Sequence, residues 1–142
     1  MCMQRRGPLV ILILVLSVLS IAPSAPDASK EPAEPSPLAR ARYQAALDQY
    51  DLIWSYFQQN RTDSFQVYYW SRLVLDAGRE MGKTPADRIA SLKKHLARME
   101  KMEELIRRIR RLGFGFSSDV GATRYYRLEA EHWLAQATER GG

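Results

Sequence analysis

The sequence predicts an all-α protein: an antiparallel helical bundle of two helix-turn-helix repeats, four helices in all, after a signal peptide and a disordered spacer. Three observations predict it. The stretch Leu52–Met81 reappears 53 positions later as Leu105–Leu134, with Ile53 answering to Ile106, Val67 to Val120, Leu75 to Leu128 and Ala77 to Ala130. Apolar residues recur at helical steps along the chain, and no segment alternates with period two for long enough to make a strand. The punctuation repeats as well. Asn60 falls where Gly113 falls, both able to adopt the left-handed conformation that ends a helix, and Ser64 and Ser117 stand at matching places to cap the next one.

The chain opens like a secretory signal. Arg5 and Arg6 form a charged start, and the apolar run Leu9–Ala22 is about 14 residues long. That lies within the ~7–15 residues of a signal-peptide core and short of the ~20 needed to span a bilayer. Ala22-Pro23-Ser24-Ala25 offers small residues for cleavage, so residues 1–25 are read as a signal peptide and the address as exported, to the periplasm or the extracellular space. An uncleaved N-terminal anchor is the alternative, and the one route to membrane contact. Residues 26–37, rich in Pro, Ala and Glu, read as a disordered spacer.

The helical domain is placed at 38–140, with repeat one at about 38–82 and repeat two at about 84–139. Its first helix, Leu38–Gln59, carries Tyr43, Leu47, Tyr50, Trp54 and Phe57 on one stripe. The second, Ser64–Met81, turns Val67, Trp70, Val74, Ala77 and Met81 inward, and Gly82 stops it. Thr84-Pro85-Ala86-Asp87 is a strong start signal: a cap, a proline at the first helical position, and a carboxylate three residues after the cap. The third helix runs from there to Leu112 on Ile89, Leu92, Leu96, Met99, Met102, Ile106 and Ile109. Gly113 and Gly115 break it, and the fourth follows to Thr138 with Val120, Thr123, Tyr126, Ala130, Trp133 and Ala137 inward. Short turns make sequential neighbours antiparallel.

The residues argue against an enzyme. Cys2 is the sole cysteine and precedes the cleavage site, so the mature chain holds no thiol nucleophile, thiolate metal site or disulfide. Glu129-x-x-His132 resembles half of a di-iron site, but no second such pair exists. His95 stands among Lys93, Lys94 and Arg98, a poor setting for a cation. Ser64, Ser117 and Ser118 are better explained as caps than as nucleophiles. The reading therefore holds no catalytic residue, no metal and no cofactor. Cleavage would lower the formal charge from +5 to +3 by removing Arg5 and Arg6, an excess too modest to imply nucleic acid.

What remains points to contacts. Phe65, Tyr68, Tyr69 and Trp70 crowd the start of the second helix, and Tyr125 occupies the corresponding part of the fourth. Consecutive aromatics cannot all face one way on a helix, so some face outward unless a partner covers them. Arg107, Arg108, Arg110 and Arg111 form the densest positive run, of which Arg107, Arg108 and Arg111 join the candidate surface. The helix dipole and the pairs Glu103–Arg107 and Glu104–Arg108 explain much of it, an anionic partner surface the rest. These eight residues make up the candidate interaction surface, with a protein partner or self-association expected. Asn60-Arg61-Thr62 also satisfies the glycosylation tripeptide, although helix termination is the preferred role for Asn60.

In the fourth helix, Ser117-Ser118-Asp119-Val120, then Tyr125 to Glu131, then Leu134-Ala135-Gln136-Ala137 resembles the long-helix repeat of TolC-like outer-membrane efflux proteins, and small uncharacterised exported bacterial helical proteins that share that tail. Gly113, Asp119, Val120, Ala130 and Ala137 fit that pattern, while Gly121 and Thr123 depart from it. The resemblance covers about the last thirty residues and implies an exported helical-hairpin scaffold. Transport is not implied, because an efflux channel needs membrane strands that are missing here. The function expected is that of a non-enzymatic scaffold or interaction protein of the cell envelope. A ligand- or polysaccharide-binding bundle using the aromatic clusters is the alternative.

Overall fold

The structure is a computed structural model, and it describes residues 34–115 and 117–141. The signal-peptide reading and most of the spacer fall on residues outside these. Among the described residues there are four helices and no strand: α1 Pro37–Gln58, α2 Ser64–Met81, α3 Pro85–Arg111 and α4 Ser117–Gly141. None of them is long and apolar enough to cross a membrane.

The repeat is visible in the backbone. The end of α1 and the end of α3 lie 53 residues apart, as do the starts of α2 and α4. Asn60 and Gly113, again 53 apart, both take positive φ, 57° and 84°. Each closes its helix with the same pair of bonds. Arg61 N–H donates to Tyr56 C=O and Asn60 N–H to Phe57 C=O, and Phe114 N–H to Ile109 C=O with Gly113 N–H to Arg110 C=O. This double closure satisfies carbonyls that a helix end otherwise leaves orphaned. In the first copy Arg61 lies over the Tyr56 ring at 4.6 Å, so a cation–π contact holds the reversal.

Starts are set by side-chain caps, and two differ from the sequence reading. Asp63, not Ser64, caps α2, its carboxylate accepting from Gln66 N–H at 2.9 Å. Ser64 is instead the first helical residue and is buried. Aspartate outcompetes it because an ionised oxygen in the capping position also meets the positive end of the helix dipole. Ser36 caps α1 through a bond from Ala39 N–H, so the helix begins at Pro37, inside the stretch assigned to the spacer. The α3 capping box forms as expected, Thr84 accepting from Asp87 N–H at 3.1 Å and Asp87 accepting from Thr84 N–H at 3.0 Å. These bonds hold the exposed Asp87 carboxyl below its usual range.

Sequential helices pack antiparallel, and α3 pairs directly with α4. The arrangement is open. Helix α2 packs against all three others, while among the described residues α1 and α4 do not pack on one another. Contacts between α2 and α4 advance together, Tyr68 with Tyr126 and then Arg72 with Trp133, so these two run parallel. Long side chains join α1 to α3, with Arg98 over the Tyr50 ring and Lys101 over the Trp54 ring. Gly78 lets the first three helices converge. A methyl there would sit 3.1 Å from Ser91 Oγ on α3 and 3.3 Å from the Tyr43 ring on α1.

The core joins Ala46, Tyr50, Trp54 and Phe57 of α1 to Val67 and Val74 of α2, Met99, Met102 and Ile106 of α3, and Ala130 of α4. The inward stripes of α1 and α4 match the helical steps read from the sequence, while on α3 His95 is buried where Leu96, half-buried in the structure, was expected inward. On α2 the buried set is wider. Ser71 and Leu75 are buried beside Val67, Val74 and Ala77, whereas Trp70 and Met81 are half-buried. A helix with neighbours on several sides cannot keep a single apolar stripe.

Candidate functional site

Two features carry the chemistry of the surface and its support: a chain of aromatic rings from α2 to α4, and a buried polar cluster beneath it. The ring chain starts on α2. Tyr69 stacks on Phe65 with centroids 6.3 Å apart, and Phe65 lies 6.4 Å from Tyr68. Tyr68 then stacks on Tyr126 of α4 at 4.1 Å with planes 14° apart, and Tyr126 meets Tyr125 edge-on at 6.0 Å. Trp70 closes the α2 end against Tyr69. Such offset and edge contacts contribute ~0.5–1.5 kcal/mol each beyond the area they bury.

The ends of this chain face solvent and its middle does not. Phe65 is 52% exposed, Tyr69 45% and Tyr125 60%. Tyr68 and Trp70, grouped with them on the sequence, are half-buried and packed against the core. Tyr68 is a structural tie: its Oη donates to Glu129 Oε2 at 2.6 Å and accepts from Arg72 Nη1 at 3.1 Å. Burial, then the carboxylate of Glu129, raise its hydroxyl above the ordinary value. Glu129 is thereby committed to Tyr68 and, at 3.4 Å, to Tyr125, while His132 is exposed and bonded to Gln136.

The sequence reading missed the cluster below. His95 is fully buried, with its Nδ1 2.8 Å from Ser71 Oγ and its ring stacked on Trp133 at 5.9 Å. Its Nε2 has no hydrogen-bond partner, nor do the buried Arg72 Nε and Arg98 Nη1. Desolvation, then the positive charges of Arg98 and Arg72, push the imidazole down to about 4, so it is neutral at ordinary pH. Burial also disfavours charge on Arg98, and it lifts the neighbouring Tyr50 hydroxyl to about 12. A signal did exist: Leu92, His95, Met99, Met102 and Ile106 step by 3, 4, 3 and 4, which puts His95 on the buried stripe.

The arginine run divides. Arg107 and Arg108 pair with Glu103 and Glu104 one turn earlier, at 2.6 and 3.1 Å, as the spacing predicts. Glu103 is itself buried and also accepts from Arg127 of α4 at 2.5 Å, a polar clamp between α3 and α4. Arg110 donates to Gly115 C=O and so helps fix the turn. Arg111 is exposed and lines an open pocket of about 440 Å³ with Glu100, Glu103, Glu104, Arg107 and Arg127, where carboxylates offset its charge. Arg107 and Arg108 are thus paired within α3, whereas Arg110 and Arg111 make no ion pair among the described residues. Among the described residues no group of three or more His, Cys, Asp and Glu side chains could hold a metal ion.

No protein-family model, curated protein or solved structure matches the chain, and nothing in these comparisons links it to TolC-like proteins.

Proposed function

We propose that this chain is a non-enzymatic helical scaffold of the cell envelope that works by contact, through the aromatic ridge running from Phe65 and Tyr69 to Tyr125. The observation that carries the reading is that ridge: exposed rings at both ends, held by a half-buried Tyr68–Tyr126 stack that is itself tied to Glu129 and Arg72. Rigid aromatics pre-paid for in this way lose little conformational entropy when covered, which suits them to anchor a protein interface. The export route rests on the Arg5, Arg6 and Leu9–Ala22 pattern. A second copy of the chain is the first partner to test.

Sedimentation of the wild-type chain and of a Phe65→Ser, Tyr69→Ser double variant tests it, alongside partner capture from envelope extracts. Both rings are largely exposed, so helicity should persist while self-association or capture falls. Association unchanged in the variant would refute the ridge as the working surface. The offset stacking of the exposed Phe65 and Tyr69 rings, with planes 29° apart, favours one second reading, a platform for sugar rings. Saturable binding to an envelope polysaccharide, lost in the same variant with no protein partner found, would establish that reading instead.

A further inference from the structure

Beyond the aromatic ridge, helices α2 and α4 bring three arginines into one open pocket of about 310 Å³, lined by Arg72, Arg79, Trp133, Gln136, Ala137 and Arg140. No carboxylate lines it. Among the described residues Arg79 and Arg140 make no ion pair, and the polar partner of Arg72 is the hydroxyl of Tyr68. The Arg72 guanidinium is fixed in place, lying over the Trp133 ring at 4.3 Å, and its Nε is buried with no partner.

The plain explanation for such residues is the helix dipole, since cations near a C-terminus offset its negative end. That accounts for Arg79 and Arg140, which sit in the last turns of α2 and α4. It does not account for Arg72, well before the end of α2, or for its buried donor. Positive charge accumulates here: after the desolvation that dominates the lowering of the neighbouring His95, the charges of Arg98, Arg72 and Arg79 all act against its protonation. Several guanidiniums gathered without a counter-charge repel one another, and an anion between them removes that repulsion.

We propose that this pocket binds a phosphate-type oxyanion, either free phosphate or the phosphate of a compact monoester, held by Arg72, Arg79 and Arg140. A dianion with tetrahedral oxygens suits several guanidinium forks better than a single carboxylate does. The volume lies at the lower end of the ~300–1,000 Å³ usual for small-molecule pockets, room for a phosphate with a small organic group attached. Trp133, covered on one face by Arg72, and Gln136 would border that group.

Calorimetric titration of the full chain with inorganic phosphate, with a sugar monophosphate and with acetate, at constant ionic strength, tests this. Saturable one-to-one binding of a phosphate species, at least about tenfold tighter than acetate, is expected. Tighter binding of the monoester identifies an esterified ligand, and equal binding identifies free phosphate. Arg79→Gln and Arg140→Gln, at exposed helix ends, should each weaken binding by about tenfold or more with helicity unchanged. Arg124→Gln, exposed near the other end of α4, should leave binding as it was. No saturable binding of either phosphate species, or equal losses in Arg79→Gln and Arg124→Gln, would overturn the site.

Discussion

Acidification from neutral pH should cost this protein stability before its carboxylates titrate, and His95 is the reason. The imidazole is fully buried between the Tyr68 and Trp133 rings, and its folded value is pushed from 6.5 down to about 4. The charged groups facing it, Arg72 and Arg79 from α2 and Arg98 from α3, are all positive, and Ser71 Oγ gives only partial relief. Because the folded value lies below the unfolded one, the unfolded chain binds more protons between them. The histidine's contribution is therefore fully present above about pH 6.5 and is lost as pH falls toward about 4. A depression of about 2.5 units at ~1.36 kcal/mol per unit amounts to about 3 kcal/mol. That is a large part of the ~5–15 kcal/mol by which domains are stable.

The assay is urea unfolding followed by circular dichroism at steps between about pH 7 and about pH 4, at fixed ionic strength. His95→Phe serves as the comparison, since it keeps a ring between Tyr68 and Trp133 and cannot titrate. Wild-type stability should fall relative to that of the variant by about 3 kcal/mol across that window if His95 is the group responsible. Parallel pH profiles for wild type and variant would refute the reasoning, and a His95 ring titrating near its ordinary value by NMR would refute its premise.

Three further outcomes follow from the packing. Met99→Ala, at a fully buried core position of α3, should cost about 2–5 kcal/mol by denaturant unfolding, and a change below 1 kcal/mol would contradict the core described above. Gly113→Ala should cost about 1–2 kcal/mol through φ of 84° alone, because no atom lies within 4 Å of the added methyl. An unchanged Tm would mean that the turn does not need its left-handed residue. Tyr68→Phe keeps the stack on Tyr126 but abandons Glu129, so a loss of about 1.5–3 kcal/mol is expected, and a stabilised variant would show that hydrogen bond to be unimportant.

Helix number, turns and repeat were legible in the residues because they are local properties. A cap needs a side-chain oxygen within reach of an N–H group in the first turn, and a reversal needs one residue tolerant of positive φ, so Thr84 with Asp87 and Asn60 with Gly113 announce themselves. The ambiguity at the start of α2 was also local: Asp63 and Ser64 are both capping residues, and only the backbone shows which one stands outside the helix.

The tertiary structure decided what equivalent repeat positions do. Leu75 and Leu128 are the same residue in the two copies, yet Leu75 is buried and Leu128 exposed, because α2 is central and α4 lies at the margin. Arg42 and Glu80 form an ion pair in the first hairpin, and 53 positions on His95 and Trp133 form a ring stack, covered there by α2. Sequence assigned Tyr68 to the surface with its neighbours, since period alone cannot say that α4 brings Tyr126 and Glu129 against it. The convergence of Arg72, Arg79 and Arg140 was equally hidden, being a product of two helices that run parallel without being neighbours in the chain. Local chemistry writes the helices and their ends. Which faces are covered depends on how the two hairpins share α2, and that is a property of the assembled fold.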